Sequence, residues 1–158
     1  MAEKTVPEQS EAPDVDDMVA QVDTGARSPL GWQHNLIPVI AFIWSIFQLY
    51  IASALPFDLA EYTGISQFVI TDSFARLIHL AFAGFLGALA FPLFTSSPRH
   101  TIPWYDWLLG ALIIAACAHI IINFSDIADR SGLPTQADLI FSSIGLVILL
   151  VSVYRTLG

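Results

Sequence analysis

The chain has 158 residues, of which 55% are hydrophobic and 13% are charged, and its formal net charge is −8. Its charged fraction is about half that of an ordinary soluble domain, and its acidity disfavours nucleic acid as a partner. Its single cysteine, Cys117, excludes an intramolecular disulfide and a cysteine-based metal cluster.

The N-terminal segment is acidic and polar. Residues 1–13 are rich in Glu, Pro and Ala, and we predict that they form a disordered leader. Residues 14–25 have apolar side chains at helical spacing and predict a short amphipathic helix that ends near Gly25. This helix either docks on a partner or on the face of the membrane domain, or it is marginal and frays. Its apolar positions are Val15, Met18, Val19 and Val22.

Four stretches without Asp, Glu, Lys or Arg follow, at residues 28–57, 77–98, 107–125 and 139–154. Because a membrane-crossing helix needs about 20 mostly apolar residues, they predict an all-α membrane protein with spans at about residues 36–55, 74–94, 104–124 and 137–156. Short connections favour antiparallel neighbours, so we expect an up-down-up-down bundle over residues 36–157. The lipid bilayer is therefore its predicted surrounding.

The first span carries small and polar residues along one side, which suits close helix packing in lipid. These residues are Ala41, Ser45, Gln48 and Ala52. Pro38 is predicted in the first turn of this span. The connection over residues 56–73 is acidic and aromatic and is long enough for a helical turn.

The second span contains two pairs of small residues four positions apart, so we expect it at the centre of the bundle. The pairs are Gly84 with Ala88 and Ala83 with Gly87. The connection over residues 125–134 is short and polar. At its end, the T-x-x-D spacing of Thr135 and Asp138 predicts a capping box that begins the fourth span.

Basic residues favour one orientation. With the N-terminus inside, Lys4, Arg27, Arg99 and Arg155 are cytoplasmic, and Arg76 and Arg130 are outside. The bias is four to two, or three to two if the distant Lys4 is left out. The rule that cytoplasmic loops are richer in Lys and Arg then predicts a multi-pass protein with both termini cytoplasmic.

Two histidines are the sharpest candidates for chemistry. His79 and His119 lie at similar distances from the same predicted membrane surface, roughly 7.5 Å below it. Equal depth would suit bis-histidine ligation of haem b. The interpretation that we favour is a buried histidine that is hydrogen-bonded to Asn, Ser or a backbone carbonyl, so no cofactor is expected.

Three charged residues near helix ends have both functional and ordinary interpretations. Arg76 either clamps two helix ends together through Asp72, Asp126 or Asp138, or is solvated by lipid headgroups. Asp138 and Asp106 are predicted to be carboxylates that the helix N-terminal dipole favours. Ion coupling is the less favoured role for Asp138.

The sequence has no glycine-rich phosphate loop, no metal-ligand spacing and no Ser/His/Asp arrangement. It also has no acidic pair deep in a span, and we predict that the protein is not an enzyme. Its spans lack the interrupted half-helices that mark substrate sites in secondary transporters. The bundle alone is therefore not expected to transport.

Several segments together resemble the N-terminal region of fused permeases of tripartite ATP-independent periplasmic (TRAP) transporters, over residues 14–158. They are D-V-D-D-M-V-A-Q-V-D-T-G-A-R-S-P-L-G-W at Asp14–Trp32, W-S-I-F-Q-L-Y at Trp44–Tyr50, R-L-I-H-L-A-F-A at Arg76–Ala83 and S-G-L-P-T-Q-A-D at Ser131–Asp138. Fused members continue past the position of Gly158, so the resemblance implies either excision from a longer permease or pairing with a separate chain.

The resemblance implies a small, Q-type unit that braces a large M-type subunit in the bacterial inner membrane. In that family the large part carries sodium and an organic acid, which a periplasmic substrate-binding protein delivers. Arg76 and His79 match the R-x-I-H-L segment, with a structural role. The structural or interface residues implied by the analysis are Ser45, Gln48, Arg76, His79, Gly84, Gly87, His119 and Asp138. The alternatives are a haem-b anchor of an electron-transfer complex that uses His79 and His119, and a free-standing adaptor.

Overall fold

The computed structural model describes residues 26–94 and 97–157, with side chains to residue 154. Six α-helices follow one another over this part of the chain, and it contains no β-strand. We number the helices α1 (Trp32–Ala52), α2 (Leu55–Thr63), α3 (Asp72–Ala90), α4 (Trp104–Ile122), α5 (Phe124–Asp129) and α6 (Gln136–Leu157). The predicted leader at 1–13 and the predicted amphipathic helix at 14–25 lie outside the described residues.

Four of these helices, α1, α3, α4 and α6, are long and apolar enough to cross a membrane. They match the four predicted spans, so the prediction of an all-helical, multi-pass membrane protein is confirmed at this level. The charge-free stretches lie largely within these four helices. A helix suits such a stretch in lipid because it satisfies its own backbone hydrogen bonds.

Two predicted boundaries were wrong, both near a proline. Helix α1 begins at Trp32, so Pro38 lies inside the helix and not in its first turn. There it removes the hydrogen bond that would run to the carbonyl of His34. Helix α3 ends at Ala90, and Phe91 has extended backbone angles because it precedes Pro92.

The two longer connections contain helices of their own. Helix α2 begins with Pro56 in its first turn and ends at Gly64, whose φ of +72° is left-handed and favours glycine. A 3-10 turn at Ser66–Phe68 follows, and the Tyr50 hydroxyl donates to the carbonyl of Phe68 at 2.8 Å. The helical turn expected in this connection is confirmed, whereas α5 replaces part of the polar connection predicted at 125–134.

Helices α3 and α4 pack closely at the centre, where glycines remove side chains that would clash. A Cβ atom on Gly84 would lie 2.8 Å from Cγ2 of Ile113, and one on Gly110 would lie 2.5 Å from Cδ2 of Phe85. Real Cβ atoms do not approach neighbours this closely, so a side chain at either glycine would force Ile113 or Phe85 to move. The predicted central position of the second span is confirmed, because α3 contacts α1, α4 and α6.

Helices α1 and α6 lie at the outside of this arrangement. Helix α1 packs along α3, and helix α6 packs along α4 and touches α3. None of the residues of α1 is buried. Both helices expose large apolar side chains, among them Phe42, Ile46, Leu49, Leu146 and Leu150. A surface of this kind fits lipid or another membrane-spanning helix.

Candidate functional site

Polar side chains collect at both ends of α4. Asp106 lies in its first turn and His119 in its last turn. They are about 20 Å apart along the helix axis, at about 1.5 Å per residue. We call the group around Asp106 the Arg27 site and the group around His119 the Asp138 site. Each one joins α4 to a different part of the chain.

The Arg27 site is a buried ion pair. The guanidinium of Arg27 donates through Nη2 to Oδ2 of Asp106, and both side chains are fully buried. Its Nε donates to the carbonyl of Pro98 at 3.1 Å, and its Nη1 donates to the carbonyl of Leu89 at 3.3 Å. One side chain therefore holds the end of α3, the turn after it and the first turn of α4 together.

Backbone hydrogen bonds fix the strap that carries Arg27, which we define as residues 26–30. The amide of Arg27 donates to the carbonyl of Ala90 at 2.8 Å, that of Ser28 to Arg99 at 3.1 Å and that of Leu30 to His100 at 2.9 Å. These hydrogen bonds fix the strap across the ends of α3 and α4. The guanidinium is thus positioned by backbone as well as by charge.

Sequence reasoning missed this site. The sequence identifies Arg27 only as an orientation signal and Asp106 only as a carboxylate at a helix start. Asp106 does lie in the first turn, but its side chain is buried against Arg27 and is not a surface carboxylate. The signal that could have found the pair is the isolation of both residues, each at the edge of a charge-free stretch. An isolated charge next to a membrane helix usually has a partner.

The Asp138 site contains the predicted capping box. The amide of Thr135 donates to Oδ2 of Asp138 at 2.8 Å, and the amide of Asp138 donates to Oγ1 of Thr135 at 3.3 Å. In addition, Arg130 forms an ion pair with Asp138 at 2.9 Å from Nη1 to Oδ2. The Asp138 carboxylate therefore caps the first turn of α6, as predicted. It also pairs with the guanidinium of Arg130, which the sequence did not indicate.

His119 connects the Asp138 site to α4. Its Nε2 lies 2.9 Å from Oδ1 of Asp138, and its Nδ1 lies 3.3 Å from Nδ2 of Asn123. An amide nitrogen can only donate, so Nδ1 of His119 accepts from Asn123, and the Nε2–H group of His119 donates to Oδ1 of Asp138. Phe141 stacks on the ring with centroids 4.4 Å apart. His119 is thus the hydrogen-bonded histidine that the sequence favoured, with Asn123 as one of its partners.

An open cavity of about 410 Å³ adjoins the Asp138 site. Its polar lining comes from His119, Arg130, Asp138 and Ser142, and Ile120, Ile127 and Leu133 make much of the rest. Both oxygens of Asp138 already interact with groups of this chain. The cavity therefore offers a carboxylate that is paired with a guanidinium, and not an unpaired charge for ion coupling.

The second predicted histidine lies at a different helix interface. Nδ1 of His79 accepts a hydrogen bond from the side-chain amide of Gln48 on α1, and Trp44 meets the ring edge-on with centroids 4.9 Å apart. The hydroxyl of Ser45 donates to the carbonyl of Ala41 in the same helix at 2.9 Å. Each of the two predicted haem ligands therefore has a partner on a different helix, His79 on α1 and His119 on α6.

The remaining predicted residues have simpler surroundings. Nη2 of Arg76 lies 2.7 Å from Oδ2 of Asp72 on the same helix, and the two side chains are 79% and 78% exposed. Of the two interpretations of Arg76, the clamp between two helix ends does not fit this pair, because α3 supplies both partners. Gly84 serves packing against α4, whereas nothing lies within 4 Å of a Cβ atom built on Gly87.

Taken together, the described residues form an all-helical protein with four candidate membrane spans and two internally paired polar sites. They contain no group of three or more His, Cys, Asp or Glu side chains placed to hold a metal ion. Comparison of the chain with protein families, with curated protein sequences and with solved structures found no match.

Proposed function

We propose that this protein is the small, Q-type scaffold unit of a sodium-coupled TRAP-type permease for organic acids. One observation carries the proposal: the buried charges of the described residues are all neutralised within the chain, at the two ends of α4. Arg27 pairs with Asp106, and Asp138 pairs with Arg130. Charges arranged this way hold helices in place and leave none for moving an ion or a substrate.

The two polar sites would hold the helices in fixed positions, as a scaffold requires. Separating a buried ion pair exposes each charge to a low-dielectric surrounding, at a cost of several kcal/mol. The Arg27 site ties α3 to α4, and the Asp138 site ties α4 to α6. Helix α4 is thus tied at one end to α3 and at the other end to α6, so the three helices would keep their arrangement while a larger partner changes conformation.

The proposed topology is an up-down-up-down bundle with both termini in the cytoplasm of a bacterium. The contacts between α1 and α3 support it, because residue numbers rise along one helix as they fall along the other. Trp44 stacks on Phe82, and Gln48 bonds to His79 further along. In this topology the connection with α2 lies outside, where a periplasmic substrate-binding protein would approach the permease.

Co-reconstitution tests the proposal. The tagged full chain and the large permease subunit encoded beside it, or continuous with it, are purified in mild detergent and placed in proteoliposomes. We expect the two to co-purify and sodium-dependent uptake of an organic acid to require both. Uptake by the large subunit alone at an equal rate, or failure of the two to associate, would contradict the proposal.

The same purified sample distinguishes the haem-b anchor. Bis-histidine ligation would require His119 to give up Asp138, so we expect no Soret band. A Soret band that disappears in both His79→Ala and His119→Ala would support the electron-transfer alternative instead.

A further inference from the structure

The cavity beside the Asp138 site lies at the depth where a bilayer changes from headgroups to acyl chains. Asp138 is the third residue of α6 and Ser142 is the seventh, so they lie about 3 Å and 9 Å along the helix from its start. The polar layer of a bilayer is roughly 5–7 Å thick on each side. The volume of about 410 Å³ falls within the range of ligand sites, roughly 300–1,000 Å³.

The Asp138 carboxylate has no acceptor capacity left for a ligand. Its Oδ1 accepts from Nε2 of His119 at 2.9 Å and from Nη2 of Arg130 at 3.5 Å. Its Oδ2 accepts from the amide of Thr135 at 2.8 Å and lies 2.9 Å from Nη1 of Arg130. A carboxylate has about four acceptor positions. A cation that entered the cavity would therefore find this acid already paired.

The cavity does offer unused hydrogen-bond donors. Nε of Arg130 donates to the carbonyl of Asp126 at 3.0 Å, and Nη2 makes one bond, to Asp138. Each terminal nitrogen of a guanidinium carries two N–H groups, so one N–H of Nη2 has no acceptor among the described residues. Nη1 is buried and forms no hydrogen bond of normal geometry. The Ser142 hydroxyl is exposed and has no hydrogen-bond partner in the same part of the chain. A matching ligand must therefore supply an acceptor oxygen.

The charges around the cavity disfavour a purely anionic ligand. Helix α5 carries Asp126 and Asp129, both exposed, four positions and one position before Arg130. Together with Asp138 they make three carboxylates beside one guanidinium, a net charge of −2. An acceptor oxygen of a phosphate is therefore best matched when the same molecule also carries a positive group. A primary ammonium group suits this position because its N–H groups can donate to the exposed carboxylates.

We propose that the cavity binds a phospholipid whose headgroup carries both a phosphodiester and a primary ammonium group, as phosphatidylethanolamine does. The phosphodiester accepts hydrogen bonds from Arg130 and Ser142. The ammonium group faces the two exposed carboxylates of α5, and an acyl chain follows Ile120 and Ile127, which line the same cavity. The site requires no partner subunit and goes beyond the proposed function.

The second cavity has no comparable selectivity. It measures about 420 Å³ and lies between Ile40, Phe85 and Ile121, among other apolar residues. An apolar depression within a membrane span can accept any acyl chain, because it has no polar group that distinguishes one headgroup from another. The cavity beside the Asp138 site is therefore the one whose chemistry specifies a ligand.

Native mass spectrometry tests the class of ligand. The full chain is purified in mild detergent, freed of bound lipid and titrated with dioleoyl phosphatidylethanolamine or dioleoyl phosphatidylglycerol. We expect the dissociation constant for phosphatidylethanolamine to be at least about fivefold lower than that for phosphatidylglycerol. Equal affinity for the two lipids, tighter binding of phosphatidylglycerol, or binding of neither would overturn the proposal.

Substitutions at two neighbouring serines test the position. Ser142→Leu removes the hydroxyl and fills part of the cavity, but it leaves the ion pair of Arg130 with Asp138 in place. We expect it to weaken binding of phosphatidylethanolamine at least about tenfold, whereas Ser142→Thr keeps the hydroxyl and should stay within about twofold. Ser143→Leu is the control, because Ser143 is exposed and does not line the cavity. Unchanged binding in Ser142→Leu, or an equal loss in Ser143→Leu, would overturn the site.

A second pair of variants tests the contact with the phosphodiester. Arg130→Gln is expected to weaken binding at least about tenfold, because a hydrogen bond to a charged group is lost. Arg76→Gln, at an exposed arginine outside the cavity, is expected to leave binding unchanged. Full binding by Arg130→Gln would overturn the contact. Where Arg130→Gln does not fold, the two Ser142 variants decide the question.

The headgroup alone distinguishes a membrane lipid from a soluble phosphate ester. Glycerophosphoethanolamine has the same charged groups and no acyl chain. We expect it to bind at least about tenfold more weakly than the lipid, because no chain covers the apolar wall of the cavity. An affinity equal to that of the whole lipid would overturn the assignment of a phospholipid and indicate a soluble ligand.

Discussion

Arg27 and Asp106 are 79 positions apart in sequence and form an ion pair whose side chains are both fully buried. The pair joins the strap before α1 to the first turn of α4. Its donors also reach the carbonyls of Leu89 and Pro98. The guanidinium therefore adds to the backbone hydrogen bonds that hold the strap across the ends of α3 and α4.

Replacing Arg27 with methionine should destabilise the protein strongly. Asp106 would remain buried without its cation, which costs about 3–5 kcal/mol when one partner of a buried pair is removed. We expect the free energy of unfolding in detergent to fall by about this amount. Arg99→Met is the control, since the Arg99 side chain is exposed, and surface changes usually stay within about 0.5 kcal/mol.

A double variant distinguishes the effect of an unpaired buried charge from the effect of changed side-chain packing. Arg27→Met with Asp106→Leu removes both charges, and apolar replacement of a buried pair is often neutral or stabilising. Recovery of much of the loss in the double variant would support a buried ion pair. Equal stability of wild type and Arg27→Met would contradict the Arg27 site.

Asp138→Asn should weaken the junction between α4 and α6. The amide is neutral, so the ion pair with Arg130 is lost and the bond from His119 is weaker. Hydrogen bonds to charged groups contribute about 1.5–3 kcal/mol, and we expect a loss of stability in that range by denaturant titration. Asp129→Asn, at an exposed position one residue before Arg130, should change stability little. Equal effects of the two substitutions would argue against the Asp138 site.

Gly84→Ala and Gly87→Ala form a matched pair on one helix. At Gly84 the new Cβ atom would meet Ile113 at 2.8 Å, whereas at Gly87 it would meet nothing. Overpacking costs about 1–3 kcal/mol, so Gly84→Ala should lower the melting temperature of the purified chain. Gly87→Ala should leave it unchanged or raise it slightly because alanine favours helix. The opposite order would contradict the packing of α3 on α4.

Arg76→Gln should have little effect on the stability of the isolated chain. Arg76 and Asp72 are both largely exposed, and exposed ion pairs contribute about 0–1 kcal/mol. We expect thermal unfolding within about 0.5 kcal/mol of wild type. A larger loss would contradict an exposed ion pair within one helix.

The sequence predicted the features that depend on neighbouring residues. The residues of a long apolar helix are consecutive in the sequence, so the four long helices could be located from their lack of charge. The capping box of Thr135 and Asp138 was predictable for the same reason, because its two partners lie in one turn. Prolines limited the accuracy of the ends, at Pro38 and Pro92.

Contacts between distant segments could not be predicted in this way. Nothing local indicates that Arg27 reaches Asp106, or that Arg130 turns towards Asp138. The two histidines were placed at equal depth, but depth does not specify which neighbour a helix face meets. Their partners, Gln48 on α1 and Asp138 on α6, follow from the rotation of α3 and α4 about their axes.

Cysteine accessibility in intact cells tests most directly whether α1, α3 and α4 cross the membrane in alternating directions, as the four-span account requires. On the Cys117→Ala background, single cysteines replace Tyr62 and Ser131 on one predicted side and Ser28 and His100 on the other, all at exposed positions. We predict that a membrane-impermeant maleimide labels the first pair in intact spheroplasts and the second pair only after lysis. Labelling of members of both pairs in intact spheroplasts would contradict the four-span scaffold.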